Sequence, residues 1–172
     1  MVTIREEQPG DEAGIHQVNA LAFGRAAEAE LVDALRASGG ITLSLVADER
    51  GAIVGHVLFS PVRILSAQPD GGEVGAGTGL GPVAVLPNRQ KQGIGARLIT
   101  AGLQRLQAQG ARLFIVLGHP EYYPRFGFAP ASRYGLHFSA GAPDEAFMAL
   151  VVGAETAVAP GVVHYRPEFD GV

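Results

Sequence analysis

Apolar and polar positions alternate from Val2 to Glu7, the period of a strand with two unlike faces, and a first β-strand is expected there. Pro9-Gly10-Asp11 is turn chemistry, with Asp11 placed to cap a helix running to about Phe23. Ile15, Val18 and Leu21 share one face of that helix. The helical period resumes from about Ala26 to Ala37, with Ala27, Leu31, Ala34 and Leu35 as its apolar stripe and Ser38-Gly39-Gly40 as its stop. Ile41 to Asp48 and Ala52 to Leu65 read as strands joined by a hairpin turn at Glu49-Arg50-Gly51. Residues 66–79 are Gly-rich and are expected to be a surface connection.

A strand from Leu80 to Leu86, disturbed at Gly81-Pro82, leads into a helix from about Gly93 to Gln109. Ile94, Leu98, Ile99, Leu103 and Leu106 form the apolar side of that helix, and Gly110 stops it. Arg112 to Leu117 is a compact strand, and a strand–helix–strand unit of this length predicts a parallel pair joined by a right-handed crossover. Pro120 to Phe126 predicts a short helix, with closing strands at Phe147 to Val152 and Gly161 to Arg166. The order βααβββαβαββ predicts an α/β fold: a mixed sheet flanked by helices. No repeat or linker breaks residues 1–172, so one domain is expected.

Composition narrows the function classes. The net charge of −4, with Lys91 the sole lysine, argues against nonspecific nucleic-acid binding, which needs a basic surface. Cysteine is absent, which removes disulfides and thiolate metal sites. His16, His56, His119, His137 and His164 form no local metal-ligand spacing, so no metal is expected. No secretory signal and no long apolar run is visible, and the expected location is cytoplasmic, without a membrane partner.

The candidate chemistry begins at Gln90-Lys91-Gln92-Gly93-Ile94-Gly95-Ala96, where a strand gives way to a helix. The first N–H groups of a helix lack internal partners, and the helix dipole makes that end partially positive. Two glycines let a diphosphate approach the backbone, and Arg89, Lys91 and Arg97 add charge. The same glycines would also serve close helix–strand packing, and the residues alone leave both readings open. A P-loop does not fit, because Lys91 is not preceded by Gly. A Rossmann fingerprint fails as well: Leu98 and Leu80 stand where a third Gly would follow Gly93-Ile94-Gly95 and Gly75-Ala76-Gly77.

Gln90, Gly93 and Gly95 resemble the Q/R-x-x-G-x-G/A cofactor motif of the GCN5-related N-acetyltransferases. The segment Gly118 to Phe128, with Tyr123 four residues before Gly127, resembles the Tyr-x-x-x-Gly-Phe element of that family, most closely in its YhbS-like subgroup. The resemblance covers about residues 2 to 152 and implies acetyl-CoA as acyl donor, an amine acceptor, a monomer or homodimer, and a mixed sheet whose fourth and fifth strands splay apart. The pantetheine arm would then lie in that gap against the backbone of Val83, Ala84 and Val85, with the diphosphate on Gln90, Lys91, Gln92, Gly93, Ile94, Gly95 and Ala96. By the same resemblance His119, Tyr123 and Arg125 lie against the cofactor, and the Tyr123 phenol protonates the departing thiolate. Packing is the competing role for Tyr123, and a surface role for His119.

Glu28 and Glu30 belong to the region that usually walls the acceptor site, or else form a solvated helix face. The chain departs from the family in having Gly118-His119 where Asn often ends the fifth strand. It also lacks the carboxylate often found on the fourth strand, where Gly81, Val83 and Ala84 stand. No general base is assigned. The resemblance implies an N-acetyltransferase; a non-catalytic acyl-CoA sensor would keep the Gln90–Gly95 turn without needing Tyr123.

Overall fold

The computed structural model describes all 172 residues. Nine strands and three helices follow in the order β1 (Val2–Glu6), α1 (Glu12–Phe23), α2 (Ala27–Ser38), β2 (Leu43–Glu49), β3 (Ala52–Leu65), β4 (Glu73–Val85), α3 (Ile94–Ala108), β5 (Leu113–Leu117), β6 (Ala129–Pro130), β7 (Leu136–Phe138), β8 (Phe147–Val151) and β9 (Gly161–His164). The strands form one mixed sheet in the order β1-β2-β3-β4-β5-β8-β6, with β9 on β3 and β7 on β9. The chain clusters into two compact units, and β3 and β4 each contribute to both. No helix is long and apolar enough to cross a membrane.

The first unit comprises residues 1–60, 81–106 and 167–172. Here β1, β2 and β3 pair antiparallel, with a bulge between Ala47 and Asp48. Val54 to Ser60 is buried at every position, so this stretch of β3 has no alternation of buried and exposed faces. Ile15 of α1 and Leu31, Val32 and Leu35 of α2 pack with Val46 and Leu58. Burying that many large side chains, at roughly 1.5–3 kcal/mol each, fixes the helices to the sheet. Gly39, at φ +72°, ends α2 as expected.

Asp11 does not cap α1 through its side chain. Its carboxylate instead accepts from the Gln8 N–H at 2.7 Å and from the Arg5 guanidinium, closing the turn before the helix. Arg5 competes successfully because a charge-assisted bidentate pair is stronger than a neutral cap.

The second unit comprises residues 61–80 and 107–166. Leu113, Ile115, Leu136, Phe147, Ala149 and Val163 form its core with Val62, Ile64 and Ala131. β5 pairs antiparallel with β8, and β7 runs parallel to β9. The predicted parallel pair is present: Thr78 faces Phe114 and Gly79 faces Ile115. Pairing between β4 and β5 ends at Gly79, although β4 continues to Val85.

One expectation fails here. The Gly-rich stretch is a connection only from Ser66 to Gly72, and Glu73 onward belongs to β4. A Cβ on Gly77 would stand 3.1 Å from Leu113, and one on Gly79 would stand 2.9 Å from the Tyr165 ring. These glycines admit neighbouring side chains against the strand and are not loop residues. The short strands β6 and β7 were also not expected, being too brief to show a period.

Candidate active site

In the first unit, Pro87–Arg89 forms one 3₁₀ turn and the chain enters α3 at Ile94. Lys91 at φ +62° and Gly93 at φ +82° both lie in the left-handed region. Lys91 bears a steric cost there that Gly93 does not. A Cβ on Gly93 would meet nothing within 4 Å, so packing does not require a glycine at that position. The left-handed turn does. The first bond of the helix runs from the Arg97 N–H to the Gly93 carbonyl at 3.0 Å. The N–H groups of Gly93 to Ala96 therefore precede the helical ladder and have no partner within it.

Side chains around the turn hold it in shape. Gln90 Nε2 donates to the Val85 carbonyl at 3.1 Å, tying the turn to the end of β4. Arg89 Nε donates to Gln92 Oε1 at 3.2 Å, and Gln92 Nε2 reaches the Asn88 carbonyl at 3.4 Å. Two of the three cations expected at the entrance are engaged elsewhere. Arg89 pairs with Glu49, holding that carboxyl below its usual range, and Arg97 donates to the Val2 carbonyl at 2.9 Å. Lys91 remains exposed. On β4, Ala84 is buried while Val83 and Val85 are half-buried.

In the second unit, the segment after β5 folds back on itself. The Gly118 N–H donates to the Ala146 carbonyl at 3.0 Å, and the His119 carbonyl accepts from the Tyr122 N–H at 3.1 Å. A 3₁₀ turn over Tyr123–Phe126 ends at Gly127, φ +99°. The Tyr123 ring lies on Gly118, where a Cβ would come within 2.4 Å of it. Its other faces meet Phe128 edge-on at 5.9 Å and Tyr122 edge-on at 5.2 Å. Burial, with a smaller contribution from Tyr122, pushes the Tyr123 phenol up to about 12. It stays protonated across the physiological range.

Arg125 is exposed; its guanidinium lies 4.3 Å from the Tyr122 ring centre and donates to the Tyr122 carbonyl at 2.9 Å. His119 is exposed. Glu28 is buried against Arg25, which holds its carboxyl below the usual range; it is not part of a solvated helix face, whereas Glu30 is exposed.

Sequence reasoning gave no role to two further groups, one buried and one half-buried. His56 sits between Asn19 Nδ2 at 3.0 Å and Ser44 Oγ at 2.9 Å, wholly buried. Asn19 also donates to the Ile15 carbonyl at 2.9 Å, so its amide nitrogen faces His56 Nδ1 and the imidazole proton resides on Nε2. A histidine inside an apolar strand was the available signal. Tyr165 is the other, its ring against Gly79 and 5.5 Å from Phe138; no spacing marks it.

Residues 3–131 match the acetyltransferase (GNAT) domain. The chain belongs to the GNAT acetyltransferase family. It is 36% identical over 170 residues to the uncharacterized N-acetyltransferase YhbS of Escherichia coli K12, covering 97% of this chain and 98% of YhbS. A GNAT family acetyltransferase from Brucella melitensis, solved in complex with acetyl-CoA, superposes with a TM-score of 0.81 at 42% identity, covering 99% of each chain. The YhbS structure from Escherichia coli, in complex with CoA, gives a TM-score of 0.88 at 33% identity, covering 98% of this chain and 92% of that one. The mixed sheet with its parallel β4–β5 pair is thus the GNAT fold.

Proposed function

We propose that this GNAT protein transfers the acetyl group of acetyl-CoA to an amine. The observation that carries the reading is the Gln90–Ala96 turn, a braced entry to α3 whose Gly93 has open space and whose leading N–H groups precede the helical ladder. Those N–H groups hold the cofactor diphosphate. The backbone of Val83 to Val85 takes the pantetheine arm, and Lys91 adds the charge at the turn.

In the reaction a neutral amine attacks the thioester carbonyl, and the tetrahedral intermediate collapses by breaking the C–S bond. The products are the acetylated amine and CoA thiol, so one proton leaves nitrogen and one reaches sulfur. Tyr123 supplies the second, the nitrogen proton passes to solvent, and the phenolate regains a proton from solvent before the next turnover. With its phenol held at about 12, Tyr123 is a weaker acid than a thiol, whose ordinary value is near 8.5. Stepwise protonation of a free thiolate would be uphill, so the phenol donates a hydrogen bond and releases its proton as the C–S bond breaks. The direction of the shift favours this role, because the acid remains loaded up to a pH of about 12, beyond the range where an ordinary amine of pKa near 10 has already become neutral. His119 and Arg125 border the same segment. A sensor without catalysis would have no use for a protonated phenol held on Gly118.

The test is calorimetric titration with acetyl-CoA followed by an amine screen that reads thiol release. Micromolar binding with acceptor-dependent release is expected. Absence of binding at millimolar acetyl-CoA would overturn the reading.

A further inference from the structure

In the second unit a cavity of about 290 Å³ is lined by Leu136, His137, Phe138, Gly141, Ala142, Asp144 and Phe147. It is shaped by two chain reversals, one closed by the Gly141 N–H on the Phe138 carbonyl at 3.0 Å, the other by the Ala146 N–H on the Pro143 carbonyl at 3.0 Å. Phe138 and Phe147 stack at 5.3 Å with 13° between their planes, giving the cavity an aromatic wall. Asp144 is exposed beside it. A carboxylate next to an aromatic face suits an organic cation: the ammonium meets the charge while the apolar body lies on the rings.

The cavity wall is tied through the backbone to the segment that carries Tyr123. Ala146, next to the wall residue Phe147, accepts the Gly118 N–H, and Gly118 carries the Tyr123 ring. On the other side Phe138 meets Tyr165 edge-on at 5.5 Å. The Tyr165 phenol is pushed up by burial and, to a lesser extent, by Tyr123.

We infer that this cavity receives the amine acceptor, a small organic cation with an apolar body, and that Asp144 selects for its charge. The inference rests on the acetyltransferase reading. The volume lies at the lower edge of small-molecule pockets, roughly 300–1,000 Å³, and suits a single ring or short chain better than a protein segment.

The probe is 2-phenylethylamine, with neutral 2-phenylethanol as its control, titrated into the ¹⁵N-labelled full chain with and without CoA. The amine should give saturable shifts at Phe138, Gly141, Ala142, Asp144 and Phe147 and bind about fivefold more tightly than the alcohol. Asp144→Asn should remove that difference, and Ala142→Trp, which fills the cavity from an exposed loop position, should abolish binding. Neither substitution should change affinity for acetyl-CoA. Equal binding of amine and alcohol, indifference to Asp144→Asn, shifts elsewhere, or loss of acetyl-CoA binding in Asp144→Asn would each overturn the inference. The two readings fail separately. A wild-type chain that binds acetyl-CoA but not the amine sinks only the cavity, whereas one that never binds acetyl-CoA sinks the acetyltransferase reading.

Discussion

Between Pro87 and Ala96 the side chains of Arg89, Gln90 and Gln92 are engaged with one another, with Glu49 and with backbone carbonyls, while the leading N–H groups of α3 stay outside the ladder. Between Gly118 and Phe128 the arrangement is reversed. Backbone groups there close turns on His119 and Pro124, and the chemistry is concentrated in one side chain, Tyr123, wedged among aromatic rings. A backbone site tolerates many side-chain changes but no added bulk or charge. A side-chain site tolerates none at its one functional atom. The two regions should therefore break in different ways.

The largest effect is expected from Gly93→Glu combined with Gly95→Glu. Carboxylates placed against a diphosphate should weaken acetyl-CoA binding about a thousandfold or more, read by calorimetry. Gly93→Ala separates charge from strain, since open space surrounds that position and only the φ of +82° resists a side chain. It should cost about 1 kcal/mol of stability and little affinity.

Tyr123→Phe should lower kcat about a hundredfold and leave the acetyl-CoA Kd nearly unchanged. The wild-type rate should rise as the amine loses its proton and show no falling limb until the pH nears 12, where Tyr123 ionises. A Kd that rises as kcat falls would make Tyr123 a binding residue and erase the contrast between the regions.

A buried group outside both regions tests the frame that carries the turn. Burial, and to a lesser extent Arg36, holds His56 at about 3, so the folded protein keeps it neutral while the unfolded chain takes a proton near 6.5. The unfolded state binds more protons between these values, and stability is lost as pH falls through that window. The loss should be about 2 kcal/mol between pH 6.5 and 5, measured by denaturant unfolding. His56→Gln should flatten that slope.

The smallest effect is expected from Lys91→Gly. Removing a side chain at φ +62° should raise stability by about 1 kcal/mol while the loss of charge weakens acetyl-CoA binding a few-fold. Opposite signs on stability and affinity would show strain kept for binding.

Much of this was legible beforehand. The limits of β3 from Ala52 to Leu65, the end of α2 before Gly39 and the helix from Ile94 follow from period and punctuation, which are local properties. What escaped was tertiary. Gly77 and Gly79 look like loop residues until Leu113 and Tyr165 press on the strand, and Asp11 looks like a cap until Arg5 claims it. The turn was visible because its chemistry lies in a short contiguous segment. Tyr165 and the wall of Phe138 and Phe147 were not, because their meeting depends on how separate strands are placed in the sheet, which no local period shows.

The most direct test of the central claim follows the backbone amides of the ¹⁵N-labelled protein during titration with acetyl-CoA. The N–H signals of Gly93, Ile94, Gly95 and Ala96 should move downfield and saturate together, as they would on accepting a diphosphate. Saturable binding that leaves these four signals in place while others shift would contradict the account.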